Sequence, residues 1–171
     1  MTATIEEIAP EQKLVPPPSP PVVRPDGLFV YGTLMPSKTK MFTKLTGIEE
    51  FLYVPALLYD YILYKVAAYP GIVPDPNHQA DHNRFFAVAG EFIKLSHLSD
   101  EEFLQVIRSL DRYEGYPNLY TRRVVTVEDV TGNDRRAITY IYNLPINPHT
   151  KKGSQSDVQA QYPNYQVLEW R

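Results

Sequence analysis

The run Arg84-Phe85-Phe86-Ala87-Val88-Ala89-Gly90-Glu91-Phe92-Ile93-Lys94-Leu95 decides the architecture. Phe85, Ala87, Ala89 and Ile93 fall on one alternate set, and Phe86, Val88 and Phe92 on the other. A half-solvated strand alternates apolar with polar, whereas a run apolar in both registers is a strand covered on both faces, as inside a small barrel. Glu91 interrupts the run as a carboxylate among apolar neighbours.

Downstream, Ser99 and Glu102 have the spacing of a capping box. Phe103, Val106, Ile107 and Leu110 follow at i, i+3, i+4 and i+7, which predicts an amphipathic helix. That helix ends near Tyr113-Glu114-Gly115, where glycine suits a C-terminal stop and Pro117 follows. Residues 120–129 and 136–143 alternate around Thr131-Gly132-Asn133-Asp134 and predict a β-hairpin. Upstream, residues 28–33 read as a strand. Pro36-Ser37-Lys38 opens a second helix, with Met41, Phe42 and Leu45 on one face and Gly47 as its stop. Residues 53–66 are one bent strand or two short ones, with Pro55 near the start or on an edge. Tyr69-Pro70-Gly71-Ile72-Val73-Pro74 is a turn feeding a short extended piece. The tail from Leu144 is polar and proline-punctuated, and Val167, Leu168 and Trp170 are expected to dock on the core. The order strand, helix, strands, helix, hairpin, tail predicts an α+β domain on one strongly curved sheet. Sparse βα alternation and the lack of a glycine fingerprint after a strand argue against a parallel nucleotide-binding sheet.

The 171 residues suffice for one domain with a substantial core, and 43% apolar with 22% charged residues is ordinary for a soluble globular chain. A net charge of −3 offers no basic footprint for nucleic acid. No run approaches the length of a membrane span. The acidic, proline-rich N-terminus is unlike a signal or transit peptide, so an intracellular, cytoplasmic protein is expected. With no cysteine there is no disulfide, thiolate metal site or cysteine nucleophile. Seven of the 16 prolines precede Gly27. Residues 1–26 are therefore expected to be a disordered or polyproline-II arm, and residues 27–171 the folded domain. A plain leader is the simpler reading of this arm, and a ligand for a proline-recognition domain the sharper one. His78 and His82 lie four apart in the polar loop 75–83 with Asp75 and Asp81. Pro74 and Pro76 oppose a helix that would align the imidazoles, so a solvated loop and no metal site is expected.

The chemistry centres on Gly27-Leu28-Phe29-Val30-Tyr31-Gly32-Thr33-Leu34, a short apolar strand that breaks at Gly-Thr. Such a strand end can bring the N–H groups of Gly32, Thr33 and Leu34 to bear on a carboxylate or a developing oxyanion. Glu114, at the end of a helix whose other side is core, is positioned for partial desolvation, which would raise its pKa and make it a usable base. Tyr31, Tyr120 and Tyr140 are candidate hydroxyl donors around such a pocket. Glu91 is the rival base, and Asp111 is expected near the surface or bonded to local backbone. Arg112, Arg122 and Arg123 are candidate partners for these charges. There is no Gly-x-Ser-x-Gly elbow. A base and an oxyanion cradle without a protein nucleophile suit a substrate that carries its own, since positioning alone lowers such a barrier substantially.

Phe29-Val30-Tyr31-Gly32-Thr33-Leu34, then Gly90-Glu91-Phe92, then Leu110-Asp111-x-x-Glu114-Gly115 together resemble the γ-glutamylcyclotransferase-like superfamily. Tyr120-x-Arg122-x-x-Val125-x-Val127 and Thr139-Tyr140-Ile141-Tyr142 extend the match over roughly residues 28–143. Within the superfamily the chain is most similar to the plant and fungal avirulence-induced-gene-like group. The resemblance implies a small mixed β-barrel with flanking helices and cofactor-independent cyclotransfer on a small γ-glutamyl substrate. In that reaction the substrate's α-amine attacks its own γ-carbonyl, giving 5-oxoproline and a free amine or amino acid. By position, Glu114 matches the general base. Tyr31, Gly32, Thr33 and Leu34 match the loop that grips the glutamyl group, with Thr33 where many relatives carry serine. Tyr120 and Tyr140 match cavity-lining tyrosines, and Glu91 is read as structural support. Because a fold does not fix function, two readings compete with this one. One is a non-catalytic module of the same fold that binds a small molecule or protein. The other is an enzyme that opens a γ-glutamyl-type amide by another route.

Overall fold

The computed structural model describes residues 23–76 and 85–171. The proline-rich stretch up to residue 22, and His78 and His82 of the polar loop, lie outside the described residues. Arg24 and Asp26, at the end of the expected arm, touch the domain. Arg24 bonds to the Asp100 carboxylate and to the Leu98 carbonyl, and the Asp26 N–H donates to the Arg136 carbonyl.

The strands are β1 (Gly27–Val30), β2 (Tyr53–Tyr59), β3 (Tyr61–Lys65), β4 (Pro70–Pro74), β5 (Phe85–Lys94), β6 (Tyr120–Asp129), β7 (Asp134–Tyr142), β8 (Ser154–Gln155) and β9 (Tyr165–Glu169). Among the described residues the α-helices are α1 (Met41–Thr46) and α2 (Asp100–Glu114). Five strands run in the order β1-β7-β6-β2-β5, and β5 pairs back onto β1, so the sheet closes into a mixed barrel. Only β1 and β7 are parallel within this ring.

The doubly apolar run becomes β5, and its register explains its composition. Residues 87–93 pair with β2 along one edge. On the other edge residues 85–88 pair with β9 and residues 91–94 with β1. One strand thus serves two neighbours in succession, and β1 leaves the sheet at the handover. Gly90 sits there because a Cβ would lie 2.3 Å from the Val30 carbonyl oxygen and 2.7 Å from the Phe29 ring.

Side-chain alternation divides the interior. Phe29, Leu58, Val88, Phe92, Val127 and Ile141 fill one core. Leu28, Val30, Ile93 and Ile138 point the other way and pack with Phe42 of α1 and the Phe103, Val106, Ile107 and Leu110 stripe of α2. Each fully buried side chain of this size contributes roughly 1.5–3 kcal/mol, so the α2 stripe alone fixes that helix firmly on the barrel.

The capping box forms as its spacing predicts: the Ser99 hydroxyl accepts from Glu102 N–H and the Glu102 carboxylate from Ser99 N–H. Gly115 ends α2 at φ 67°. Helix α1 begins at Met41, five residues after Pro36. The Thr39 hydroxyl donates to the Thr33 carbonyl and accepts from Met41 N–H, which holds residues 35–40 in turns. Residues 53–66 resolve into β2 and β3, broken at Asp60 with φ 67°. Strands β3 and β4 form a separate two-stranded sheet over the barrel. The tail does more than dock, because β9 adds to β5 in parallel and β8 adds to β9. Among the described residues no helix is long and apolar enough to cross a membrane.

Candidate functional site

Strand β1 stops at Val30, and Tyr31–Leu34 turn away from the sheet beside the handover on β5. The loop closes through Met35 N–H to the Gly32 carbonyl at 3.1 Å. The N–H groups of Gly32, Thr33 and Leu34 donate to no described residue. Gly32 lacks a side chain where a Cβ would come within 2.8 Å of the Pro70 ring, so β4 can close down on the loop.

Facing the loop is the last turn of α2. Gly115 N–H bonds back to the Arg112 and Asp111 carbonyls and Tyr116 N–H to Asp111, while Leu119 N–H donates to Gly115. The chain then enters β6 at Tyr120. This tight exit leaves Glu114 at the wall of a cavity of about 280 Å³. The volume sits just below the range typical of small-ligand pockets.

The residues expected at the site come together. Glu114, Tyr31, Gly32 and Thr33 line this cavity, as do Leu34, Tyr120 and Tyr140. Phe29, Val30, Tyr69, Pro70, Tyr113 and Leu119 complete its lining. Tyr113 adjoins Glu114 in sequence, and its hydroxyl lies 2.8 Å from that of Thr33, bridging the helix end to the glycine loop. Tyr69 precedes β4 and Pro70 opens it, so their place over the barrel depends on β3–β4 pairing, which no local signal in the sequence announces.

Glu114 is half-buried, with its remaining surface opening on the cavity. Burial pushes its carboxyl up from 4.5 to about 7. It makes no hydrogen bond or ion pair with any described residue, so no partner offsets the desolvation. A carboxylate near neutrality in its titration can both take and return a proton at physiological pH.

The tyrosines differ from expectation in polarity. The Tyr31 hydroxyl donates to the Tyr140 carbonyl at 2.6 Å and accepts from Ile72 N–H. The Tyr120 hydroxyl donates to the Pro70 carbonyl. The Tyr140 hydroxyl donates to the Asp111 carboxylate at 2.7 Å. All three protons are given to protein oxygens, so these groups are not the donors expected from the sequence. Burial, first among the causes, pushes all three phenols up, and the Glu114 charge adds to it; they stay protonated.

Asp111 meets expectation in part. It accepts from Arg122 Nε at 2.9 Å and Nη2 at 3.2 Å as well as from Tyr140, so it stays near the surface but is held by two distant side chains and not by local backbone. Arg122 in turn lies 4.3 Å over the Tyr116 ring. Glu91, the rival base, is buried away from the cavity and accepts from Ser37 N–H at 3.1 Å, an anchor for the loop after Leu34. Arg123 donates to the Tyr61 hydroxyl at the surface. Among the described residues no cluster of three His, Asp or Glu is placed to hold a metal ion.

No curated protein matches the chain. Solved structures do. A mouse AIG2-like protein shares 16% identity over 87% of this chain and 97% of its own, with a TM-score of 0.51. A γ-glutamyl cyclotransferase shares 17% over 77% and 73%, with a TM-score of 0.51. An uncharacterised human protein shares 19% over 76% and 72%, again with a TM-score of 0.51. At these identities the likeness establishes a common fold. The family model described as gamma-glutamyl cyclotransferase, AIG2-like, matches residues 28–164, from β1 to the residue before β9. With most of its length inside that match, the chain belongs to the AIG2-like gamma-glutamyl cyclotransferase family.

Proposed function

We propose that the protein is a γ-glutamyl cyclotransferase. The observation that carries this reading is Glu114, a carboxyl raised to about 7, sharing one cavity with the unpartnered N–H groups of Gly32, Thr33 and Leu34. Glu114 takes a proton from the substrate's α-ammonium. The freed amine attacks the γ-carbonyl of the same molecule and closes a five-membered ring. The carbonyl oxygen becomes an oxyanion facing the amides of the glycine loop, which stabilise it. Glu114 returns that proton to the departing nitrogen, the γ-carbon–nitrogen bond breaks, and the ring nitrogen gives up its second proton, through the same carboxylate, to the released amine. The products are 5-oxoproline and an amine or amino acid. Atoms balance without water, metal or cofactor. The cavity's contribution beyond proton transfer is to hold amine and carbonyl in an attack geometry.

The test is to incubate the protein with a panel of γ-glutamyl amines and dipeptides and quantify 5-oxoproline. Release that falls about a hundredfold or more in Glu114→Gln, the usual scale for a lost general base, supports the reading. Equal release by both proteins removes Glu114 from the mechanism. No release across the panel favours a binding module.

A further inference from the structure

Hydrogen-bond direction is unusually well determined in this cavity. A carbonyl or an ionised carboxylate has no proton to give, so a tyrosine bonded to one must be the donor. Tyr120 gives its proton to the Pro70 carbonyl and Tyr140 gives its proton to Asp111. Asp111 is held as a carboxylate by two bonds from Arg122. Each of these two phenol oxygens therefore presents lone pairs, and no proton, to whatever fills the cavity. Tyr31 is different, since Ile72 N–H already occupies its acceptor side. Glu114 lines the same cavity as a further acceptor. The cavity thus has two chemical halves. One is an acceptor wall of Tyr120, Tyr140 and Glu114, and the other is the donor loop of Gly32–Leu34.

We propose that Tyr120 and Tyr140 bind the substrate's α-ammonium as hydrogen-bond acceptors, and that Asp111, clamped by Arg122, is the positioning residue that keeps Tyr140 in that polarity. The identity of the ammonium rests on the cyclotransferase reading above. The polarity of the wall rests on the bond network alone. Asp111 acts one helical turn before Glu114 on α2, while Arg122 and Tyr140 are cross-strand partners on β6 and β7. The device therefore locks the helix end that carries Glu114 to the sheet that carries the tyrosine. An asparagine at 111 loses the Arg122 charge pair and can present its amide to the phenol oxygen, which turns the Tyr140 proton toward the ligand.

The experiment compares L-glutamine with glutaramate, its analogue lacking the α-ammonium, by calorimetric binding. The native protein is expected to favour L-glutamine by about tenfold or more, the scale of hydrogen bonds to a charged group. Asp111→Asn and Tyr140→Phe should each shrink that margin while leaving glutaramate affinity unchanged. The double variant should be no worse than either single one, because both act through one oxygen. Full additivity of the two changes overturns the role of Asp111 through Tyr140. Should Asp111→Asn not fold, Tyr140→Phe decides the acceptor assignment alone, and an unchanged margin overturns it. Separate measurement of 5-oxoproline keeps the two ideas apart. A margin that both variants shrink, without turnover, upholds the acceptor wall and sinks the cyclotransferase, and turnover with a margin that neither variant changes does the reverse.

Discussion

Glu114 holds its proton to about pH 7 in the folded chain but only to about 4.5 when unfolded. The folded state therefore binds more protons between these values, and stability declines as pH rises through the window. The cost is fully present above pH 7, about 3 kcal/mol at most by the size of the shift, less whatever the open side of the cavity screens. Glu114→Gln removes it, so the variant should melt higher than the native protein at pH 8 and about level with it at pH 4.5. A gap that stays constant across pH, followed by differential scanning calorimetry, would mean the carboxyl is not desolvated. The same titration should appear in turnover as an ascending limb of kcat/KM centred near pH 7, absent from Glu114→Gln. The helix end made Glu114 legible in the sequence, because an acidic residue after an apolar stripe and before a stop glycine is a local pattern. The direction of the tyrosine protons was not legible. It depends on Pro70, Asp111 and the Tyr140 carbonyl arriving from elsewhere in the fold, and a tyrosine in isolation can donate or accept.

The α2 cap and the β6–β7 hairpin, whose signals are local, formed where the sequence put them. The capping box needs only Ser99 and Glu102, three residues apart. Ser99→Ala should cost about 1 kcal/mol, read as a lowered urea midpoint at unchanged slope. The β6–β7 hairpin has a similarly local anchor. Asp129 accepts from Thr131 and Asn133 N–H, the Thr131 hydroxyl and Arg135. These bonds hold its carboxyl down at about 2, the Thr131 hydroxyl being the largest cause. Its contribution is therefore present above the unfolded value near 3.8 and fades as pH falls toward 2. The melting gap between the native protein and Asp129→Asn should be constant from pH 8 to pH 5 and close below pH 4; a gap that persists at pH 2 contradicts this. Helix α1 starts late for a reason the periodicity does not contain. Thr39 reaches back to the Thr33 carbonyl, so the segment between them serves the glycine loop before it serves a helix.

On the scale of the whole molecule, barrel closure and the site are the same event. Strand β5 exchanges β9 for β1 along one edge, and the glycine loop emerges at that exchange. The doubly apolar composition of residues 84–95 betrayed a strand covered on both faces, but not which strand covers residues 85–88. That partner lies some eighty residues away in a polar tail whose strongest signals are Val167, Leu168 and Trp170. Leu168 nevertheless packs in the inner core with Phe92, and Val167 packs against Leu57 and Ala87. Lys38, just beyond the glycine loop, donates to the Trp170 carbonyl, so the tail also braces the segment that leads out of the site. Ending the chain after Gly153 would strip β8 and β9, open the edge of β5 over residues 85–88 and expose the inner core. An unpaired apolar edge of that kind invites pairing with other chains. The truncated protein should lose cooperative thermal unfolding and associate in analytical ultracentrifugation, whereas Leu168→Ala should stay monomeric and lose about 2–5 kcal/mol. A truncated chain that melts cooperatively within a few degrees of the full one would show that the barrel closes on β1 alone, and that β9 decorates a fold it does not complete.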